Sequence, residues 1–561
     1  MNLILASIWL PDAAILRFVA PEIALIAAIA LLLIAPLLLG RGARTASGIA
    51  VAGALAALLL GWATLGAVDG RPTELFAAPI NAAGDPGAGV LVSDSLSAFF
   101  RIFIAVGLLA IIAVWGFTDA ADERHPVEFF VLLLSSAVGM MLMSGVVNLL
   151  LMVIAIELAS LPSYALAAFD RRRRDGAEAG LKYVMFGAVC SGFSLYGISL
   201  LFGLFGTLHV PTLVDRIIDA SLSPATGVLV VVALVALFAG IGFKISAVPF
   251  HSWCPDVFQG ASLPIATWLS FSSKGAGVVL LLRLVRITAE RCAGDEFLLG
   301  AISYGVAAFA IITCTFANLA AFGQSNVRRL LAYSSIAHAG YMLAAGAIVL
   351  GAGRGGDAAL SAVVQYLAVY LLMNLGAFVC LGLVAADSES EELSAFTGLG
   401  WRDGGAALSM TVCLVSLIGL PPLGGFIAKW WLIYGLGQAA TGAPMHGGAS
   451  ATVLWVLIFA IVVNTAISLF YYARVIRQMY LRGDDTQAGA LRAPIAGRLM
   501  LHVCALLIVL GGTFLVPEMK HRADAVVRGL TATADVRSAA GERAAPVRDR
   551  IFVGMSEKSG K

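Results

Sequence analysis

FKISAVPFHSWCPDVFQGASLPIATWLSFSSKGAG, residues 243–277, is largely apolar yet holds two lysines, Lys244 and Lys274, and three prolines, Pro249, Pro255 and Pro264. The flanking runs, 227–250 and 260–282, contain no other charged residue. A proline removes a backbone donor and clashes with the preceding turn. Broken backbone at membrane depth is tolerated only where protein or a wet cavity satisfies it. A charge at the centre of a spanning helix costs about 2.5–3.5 kcal/mol on insertion scales. The segment therefore reads as a broken membrane helix followed by a second helix, each carrying one buried cation.

The pattern recurs. Run 406–436 has Lys429 as its only charge and is cut by the paired prolines of SLIGLPPLGGFIAK, residues 416–429. Run 147–169 has one carboxylate, Glu157. Buried Lys and Glu are groups whose proton affinity a protein can tune. A series of them inside a membrane is what a proton relay needs.

Composition agrees. The 561 residues are 60% hydrophobic and 12% charged, against about 25% charged in soluble domains. Net charge is +2, which points to no nucleic acid. The seven cysteines form no CxxC pair, so they read as small buried side chains and not as zinc or iron–sulfur ligands. No phosphate-binding or dinucleotide-binding glycine motif stands in a strand–helix context. The start, MNLILASIWL, has no basic n-region, so no cleavable signal peptide is expected.

Spans of about 20 apolar residues number about 14. They lie near 18–39, 47–68, 92–117, 127–145, 147–169, 179–206, 225–250, 260–287, 297–322, 327–350, 358–386, 405–437, 450–480 and 495–516. Loops after odd-numbered helices are richer in arginine, with Arg41, Arg44, Arg124, Arg171–Arg174, Arg328, Arg329, Arg402, Arg482 and Arg492. The positive-inside rule puts those loops in the cytoplasm and both termini outside. The broken helices are the seventh and the twelfth, five apart. Interrupted helices in corresponding places of two halves mark a transport site. The expected fold is an all-α polytopic membrane protein with two inverted five-helix repeats. Its segments are 1–126 (helices 1–3), 127–287 (helices 4–8), 297–480 (helices 9–13), 495–516 (helix 14) and a basic tail, 517–561.

The motifs EAGLKY (178–183), FKISAVPFHSWCPDVFQGA (243–261), LSFSSKGAG (269–277), NVRRLLAYSSIAHAGYML (326–343) and GLPPLGGFIAKWWL (419–432) closely resemble the antiporter-like, proton-translocating subunits of NADH–quinone oxidoreductase, respiratory complex I. Within that family they are most similar to the N-type branch, as is IELASLPSYALAAF (156–169). The resemblance covers residues 130–480 well and the outer helices in hydropathy only. It departs at Cys254, where the family usually has threonine, and at Ser262-Leu263-Pro264, which lacks the first of two usual prolines.

The resemblance implies a relay of Glu157, Lys244, Lys274 and Lys429, with a further role for Lys182. It implies no cofactor on this chain, with NADH, FMN, iron–sulfur clusters and quinone on partner subunits. Partners would be the other membrane and peripheral subunits and the lipid of a bacterial cytoplasmic membrane. Glu157 and Lys244 are expected to form a coupling pair, the bland counterpart being a static ion pair between helices 5 and 7. Lys429, beside two tryptophans, could also be an interface anchor. His338 has the intrinsic proton affinity of a relay between Lys274 and Lys429, although a lone histidine on an apolar helix is more often a satisfied core residue. His251 stands at the break and could cap freed carbonyls instead. Arg171–Arg174 reads as a headgroup anchor or a partner contact. The acidic stretch 387–392 reads as a solvated loop. Alternatives to the oxidoreductase are a cation/proton antiporter subunit and a ferredoxin-, F420- or hydrogenase-linked relative.

Overall fold

The structure is a computed structural model. It describes residues 13–68, 73–76, 89–118, 125–170, 174–220, 223–292, 296–349, 354–442, 450–481 and 491–528. Arg171, Arg172, Arg173 and most of the basic tail lie outside these residues. Among the described residues the architecture is helical apart from one short antiparallel hairpin, β1 (Thr73–Leu75) with β2 (Leu91–Ser93).

The helices are α1 (Ala20–Leu39), α2 (Ala43–Ala67), α3 (Ser95–Phe117), α4 (Pro126–Met143), α5 (Leu149–Ala167), α6 (Arg174–Phe205) and α7 (Pro224–Ile245). They continue as α8 (Leu263–Arg291), α9 (Glu296–Ala321), α10 (Val327–Val349), α11 (Arg354–Ser388), α12 (Gly404–Ile418), α13 (Ala451–Tyr480) and α14 (Ile495–Gly512). Twelve described helices are long and apolar enough to cross a membrane, so the chain is a multi-pass membrane protein. α10 and the divided α12 fall outside that set. α10 carries Arg328 and Arg329 in its first turn and then Tyr333, Ser334, Ser335, His338 and Tyr341 among apolar residues.

Burial orders the bundle. The apolar window of α8 is buried along its whole length and that of α11 along 83%, whereas those of α6 and α13 are buried along only 28%. α8 and α11 therefore form the centre. α6 turns Leu181, Met185, Val189 and Phe193 outward, as a lipid-facing helix must.

Side chains start several helices. Asp94 accepts from Ser97 N (2.8 Å) while Ser97 Oγ accepts from Asp94 N (2.9 Å), a reciprocal cap on α3. Asn148 caps α5, and only five residues separate it from α4, so the expected division near residue 145 is present.

Both expected breaks are present. α7 stops at Ile245, Ser246 takes a left-handed φ of 61°, and the helix restarts over Trp253–Gly260. α12 stops at Ile418, Gly419 takes φ 87°, and the chain restarts over Gly424–Thr441. Ser416 Oγ accepts from Gly425 N (3.0 Å) and stitches the second break. A Cβ on Gly425 would lie 1.9 Å from the Ser416 carbonyl oxygen. Gly425→Ala is thus expected to push the half-helices apart at about 1–3 kcal/mol, the usual cost of overpacking. Thermal denaturation of the chain in its native membrane should show a lower midpoint; an unchanged one would mean the break yields freely.

The last span differs from its expected 495–516. α14 ends at Gly512, and a further helix occupies 516–528. Gly512 packs on the break itself, because a Cβ there would lie 2.2 Å from the Pro422 carbonyl oxygen. The charged side chains of 517–528 require an aqueous face, which ends the apolar span early. Ala523 and Val526 are buried, and Asp524 accepts from Ser361 Oγ at the start of α11 (2.5 Å).

Candidate functional site: a line of buried cations

Lys244 lies in the last turn of α7 with no exposed surface. Its ammonium has no hydrogen-bond partner among the described residues, and the ring of Phe243 is 5.9 Å away. Ser273 Oγ donates to the Lys244 carbonyl (3.2 Å), which joins α7 to α8. Gly277 permits that approach, since a Cβ there would lie 2.7 Å from Ile245.

Lys274, itself without exposed surface, follows a π-helical turn, Leu269–Ser273, in the buried part of α8. Such a turn leaves a backbone group without its usual partner and is frequent at functional sites. The ammonium donates to Cys254 Sγ (3.4 Å) and stands 4.7 Å from the ring of Phe258 and 5.7 Å from that of Trp253. Both rings and the thiol belong to the second half of the broken seventh helix. The break thus wraps Lys274.

Lys429, 3% exposed, is not an interface anchor in this structure. It donates to the carbonyls of Ile418 (2.8 Å) and Leu417 (3.2 Å), the groups that α12 leaves open where it stops. In sequence Lys244 precedes its break and Lys429 follows its own. In space both belong to the C-terminal end of the first half-helix, where the backbone dipole favours a cation. The neighbouring Trp430 is exposed, as an interface tryptophan would be.

His338 stands between the last two lysines. Its Nδ1 is 2.7 Å from Tyr366 OH, and its ring packs 5.2 Å from that of Tyr370. Tyr370 OH donates to the Ser270 carbonyl within the π-turn (3.2 Å). A phenol and an imidazole therefore join the turn before Lys274 to α10. Tyr341, also on α10, lays its ring 4.6 Å from the Lys429 ammonium. The sequence offered no signal for Tyr366 and Tyr370, which are two of many aromatics in apolar helices.

Other expected residues stand elsewhere. Glu157 accepts a hydrogen bond from Ser191 of α6 and forms no ion pair with Lys244 within 4 Å. The two side chains are not in direct contact. Lys182 is 39% exposed and pairs with Glu178 (2.7 Å) and Asp256 (2.7 Å), so it does not share the burial of the other lysines. Asp256 also accepts from Arg329 of α10 (2.5 Å). His251 is half-buried against the ring of Phe316 (4.6 Å), apart from the line of lysines. The acidic stretch 387–392 is more than a solvated loop: Asp387 pairs with Arg402 and Glu391 with Arg328.

Two buried ion pairs were not anticipated. Arg283 of α8 makes a two-pronged contact to Asp94 (2.7 and 2.8 Å), and Arg101 of α3 pairs with Glu22 of α1 (2.7 Å). The test that singled out the lysines, a lone cation in an apolar run, would also have found Arg101.

Comparison with known proteins fits this geometry. The family model described as NADH:quinone oxidoreductase/Mrp antiporter, TM, matches residues 146–454, which include all four relay candidates. A relative named NADH-quinone oxidoreductase subunit N, from Anaeromyxobacter sp. (strain Fw109-5), is 38% identical over 77% of this chain and 83% of its own. Another, NADH-quinone oxidoreductase subunit N 2 of Sorangium cellulosum (strain So ce56), is 38% identical over 89% and 94%. A chain in the structure of respiratory complex I from Thermus thermophilus with bound aureothin is 29% identical, covers 89% of this chain and 98% of its own, and superposes with a TM-score of 0.67. A chain of the Mrp complex from Dietzia sp. DQ12-45-1b shares the fold at 18% identity, covering 94% and 99% with a TM-score of 0.74. The chain belongs to the NADH:quinone oxidoreductase/Mrp antiporter family of membrane subunits.

Proposed function

We propose that this chain is the N-type proton-translocating subunit of an NADH–quinone oxidoreductase in a bacterial cytoplasmic membrane, with both termini outside. The observation that carries the reading is the row of Lys244, Lys274, His338 and Lys429. All are buried, and among the described residues none has a carboxylate in contact. Permanent charges so placed would be costly, and a structural ion pair needs a counter-ion. Groups that gain and lose a proton need neither. The names of the relatives support the assignment to the oxidoreductase.

Glu157 and Lys244 would act as the input. They sit on α5 and α7, which both pack against α6, and a change in their separation changes how firmly the lysine holds its proton. Redox energy released on partner subunits would reach them as a shift between two states that stabilise the pair differently. A proton leaving Lys244 would pass by Ser273 and Cys254 to Lys274, then by Tyr370 and His338 towards Lys429. No redox group is needed on this chain. NADH, FMN, iron–sulfur clusters and quinone would reside on partners. Helices 4–8 and 9–13 would be the inverted repeats that frame the row.

The test is proton pumping by membrane vesicles containing the whole complex, wild type against Lys244→Ala, with NADH turnover followed at the same time. Loss of pumping and of coupled turnover is expected with sodium present and absent. Normal pumping by an assembled variant would reduce the lysines to structural anchors. A defect confined to sodium buffers would instead favour a cation/proton antiporter.

A further inference from the structure

Cys254 has no exposed surface, and its sulfur is the one hydrogen-bond acceptor that the Lys274 ammonium meets among the described residues (3.4 Å). The ammonium's other close neighbours are the faces of two rings, Phe258 and Trp253. The half-helix that carries the thiol is held in place. Trp253 stacks on Tyr183 of α6 (4.2 Å), and its indole N–H donates to the Phe243 carbonyl (3.2 Å). Asp256 is bound by Lys182 and Arg329. The sulfur therefore stays against the ammonium.

A protonated thiol accepts a hydrogen bond weakly, whereas an ionised acceptor binds a cation strongly. With the thiol protonated, the site holds a full buried charge and no counter-charge. One proton can leave it in two ways. Taken from nitrogen, it leaves an amine beside a thiol. Taken from sulfur, it leaves an ammonium beside a thiolate. A free thiol is a stronger acid than an alkylammonium by about two orders of magnitude. Burial penalises the charged pair, and contact between its opposite charges offsets that penalty.

The other titratable groups in electrostatic reach of the sulfur are Tyr183 of α6 and Tyr370 of α11. A phenol is a weaker acid than a thiol. His338 of α10 stands behind Tyr370, and Lys244 of α7 joins α8 at Ser273, next to Lys274. Arg328 and Arg329 of α10 meet the far end of the half-helix, at Ala261 and Asp256.

We propose that Cys254 is a proton-carrying residue, whose sulfur releases and regains the proton at this site while Lys274 supplies the counter-charge. The inference rests on Lys274 lying on the proton route. In the step the S–H bond breaks, its electron pair stays on sulfur, and the proton passes by Tyr370 towards His338. The next proton, arriving from Lys244, re-forms the S–H bond. Atoms and charge balance without a co-reactant. Without the ammonium a buried thiolate has no counter-charge, so the cysteine carries nothing on its own.

The experiment uses the intact complex in its native membrane. The S–H stretch of Cys254 is isolated in the infrared by subtracting the matching Cys254→Thr variant, and it is followed as the pH is raised. The band should disappear in wild type and persist over the same range in Lys274→Met. A band that persists in both would overturn the proposal, and so would one that disappears in both. NADH-driven pumping gives an independent readout. Arginine keeps its charge and cannot give up a proton. Lys274→Arg should therefore pump several-fold faster than Lys274→Met, and adding Cys254→Thr should remove the difference. Assembled Lys274→Arg complexes that pump no better than Lys274→Met would return the proton to the lysine nitrogen. If Lys274→Arg does not assemble, the infrared titration decides. Normal pumping by Lys274→Met would defeat the underlying route, whereas lost pumping there with a persistent wild-type band would defeat only the role of the sulfur.

Discussion

Asp94→Ala is expected to remove most of the folded chain from the assembled complex. Asp94 is 1% exposed and receives both arms of Arg283, whose Nε also donates to the Ser144 carbonyl (2.5 Å). Truncating the carboxylate leaves a guanidinium buried without its counter-charge. Breaking a buried pair in this way costs about 3–5 kcal/mol. The same carboxylate caps α3, and loss of a cap costs about 1 kcal/mol more. Net stabilities are only about 5–15 kcal/mol, so the combined loss is a large share of the whole. Removing both charges with Asp94→Ala and Arg283→Met should recover the larger part and leave the cap deficit. The readout is the amount of chain in purified complex and its thermal midpoint. Full assembly of Asp94→Ala would show that Arg283 finds another partner.

Lys274→Met should do the opposite. It removes a buried charge that has no carboxylate in contact, only the Cys254 thiol and two rings. Methionine has nearly the same length and needs no hydration. Stability should hold or rise, because replacing a buried ion by a well-packed apolar residue is often neutral or favourable. Pumping by the complex should fall sharply, since no group remains to carry a proton between Lys244 and His338. Thermal midpoint and NADH-driven acidification, taken on one preparation, give both answers. A fall in stability with pumping intact would make Lys274 a structural residue. Between them, the two variants separate buried charge that holds the fold from buried charge kept for exchange.

The lysine row was legible because its signal is local. A cation alone in an apolar run needs no knowledge of neighbours, and proline pairs announce a break wherever they fall. What remained hidden depends on side chains far apart in sequence. Arg283 and Asp94 are 189 residues apart, and Asn318 and Asn464 are 146 apart. Neither pairing leaves a periodic trace. The Lys429 geometry was hidden for another reason. Its position after the prolines suggested a mismatch with Lys244, because the reach of the side chain back to Ile418 is invisible in a linear reading. Glu157 and Lys182 show the limit of matching motifs. Both residues occur where the family pattern puts them, yet one bonds to Ser191 instead of to Lys244, and the other is half in solvent.

Asp256 is one carboxylate with two claimants. Lys182 reaches it from the first group of helices and Arg329 from the second, through different oxygens. It rides on the eight-residue half-helix that also carries Cys254 and Phe258 against Lys274. That half-helix is therefore tied at Asp256 to both sides of the molecule, with Gln259 giving Arg329 a second hold on it, like a float on two lines. A displacement of α6 or of α10 need not travel through the packed interior to be felt at Lys274. It shortens one line, slackens the other, and turns the float.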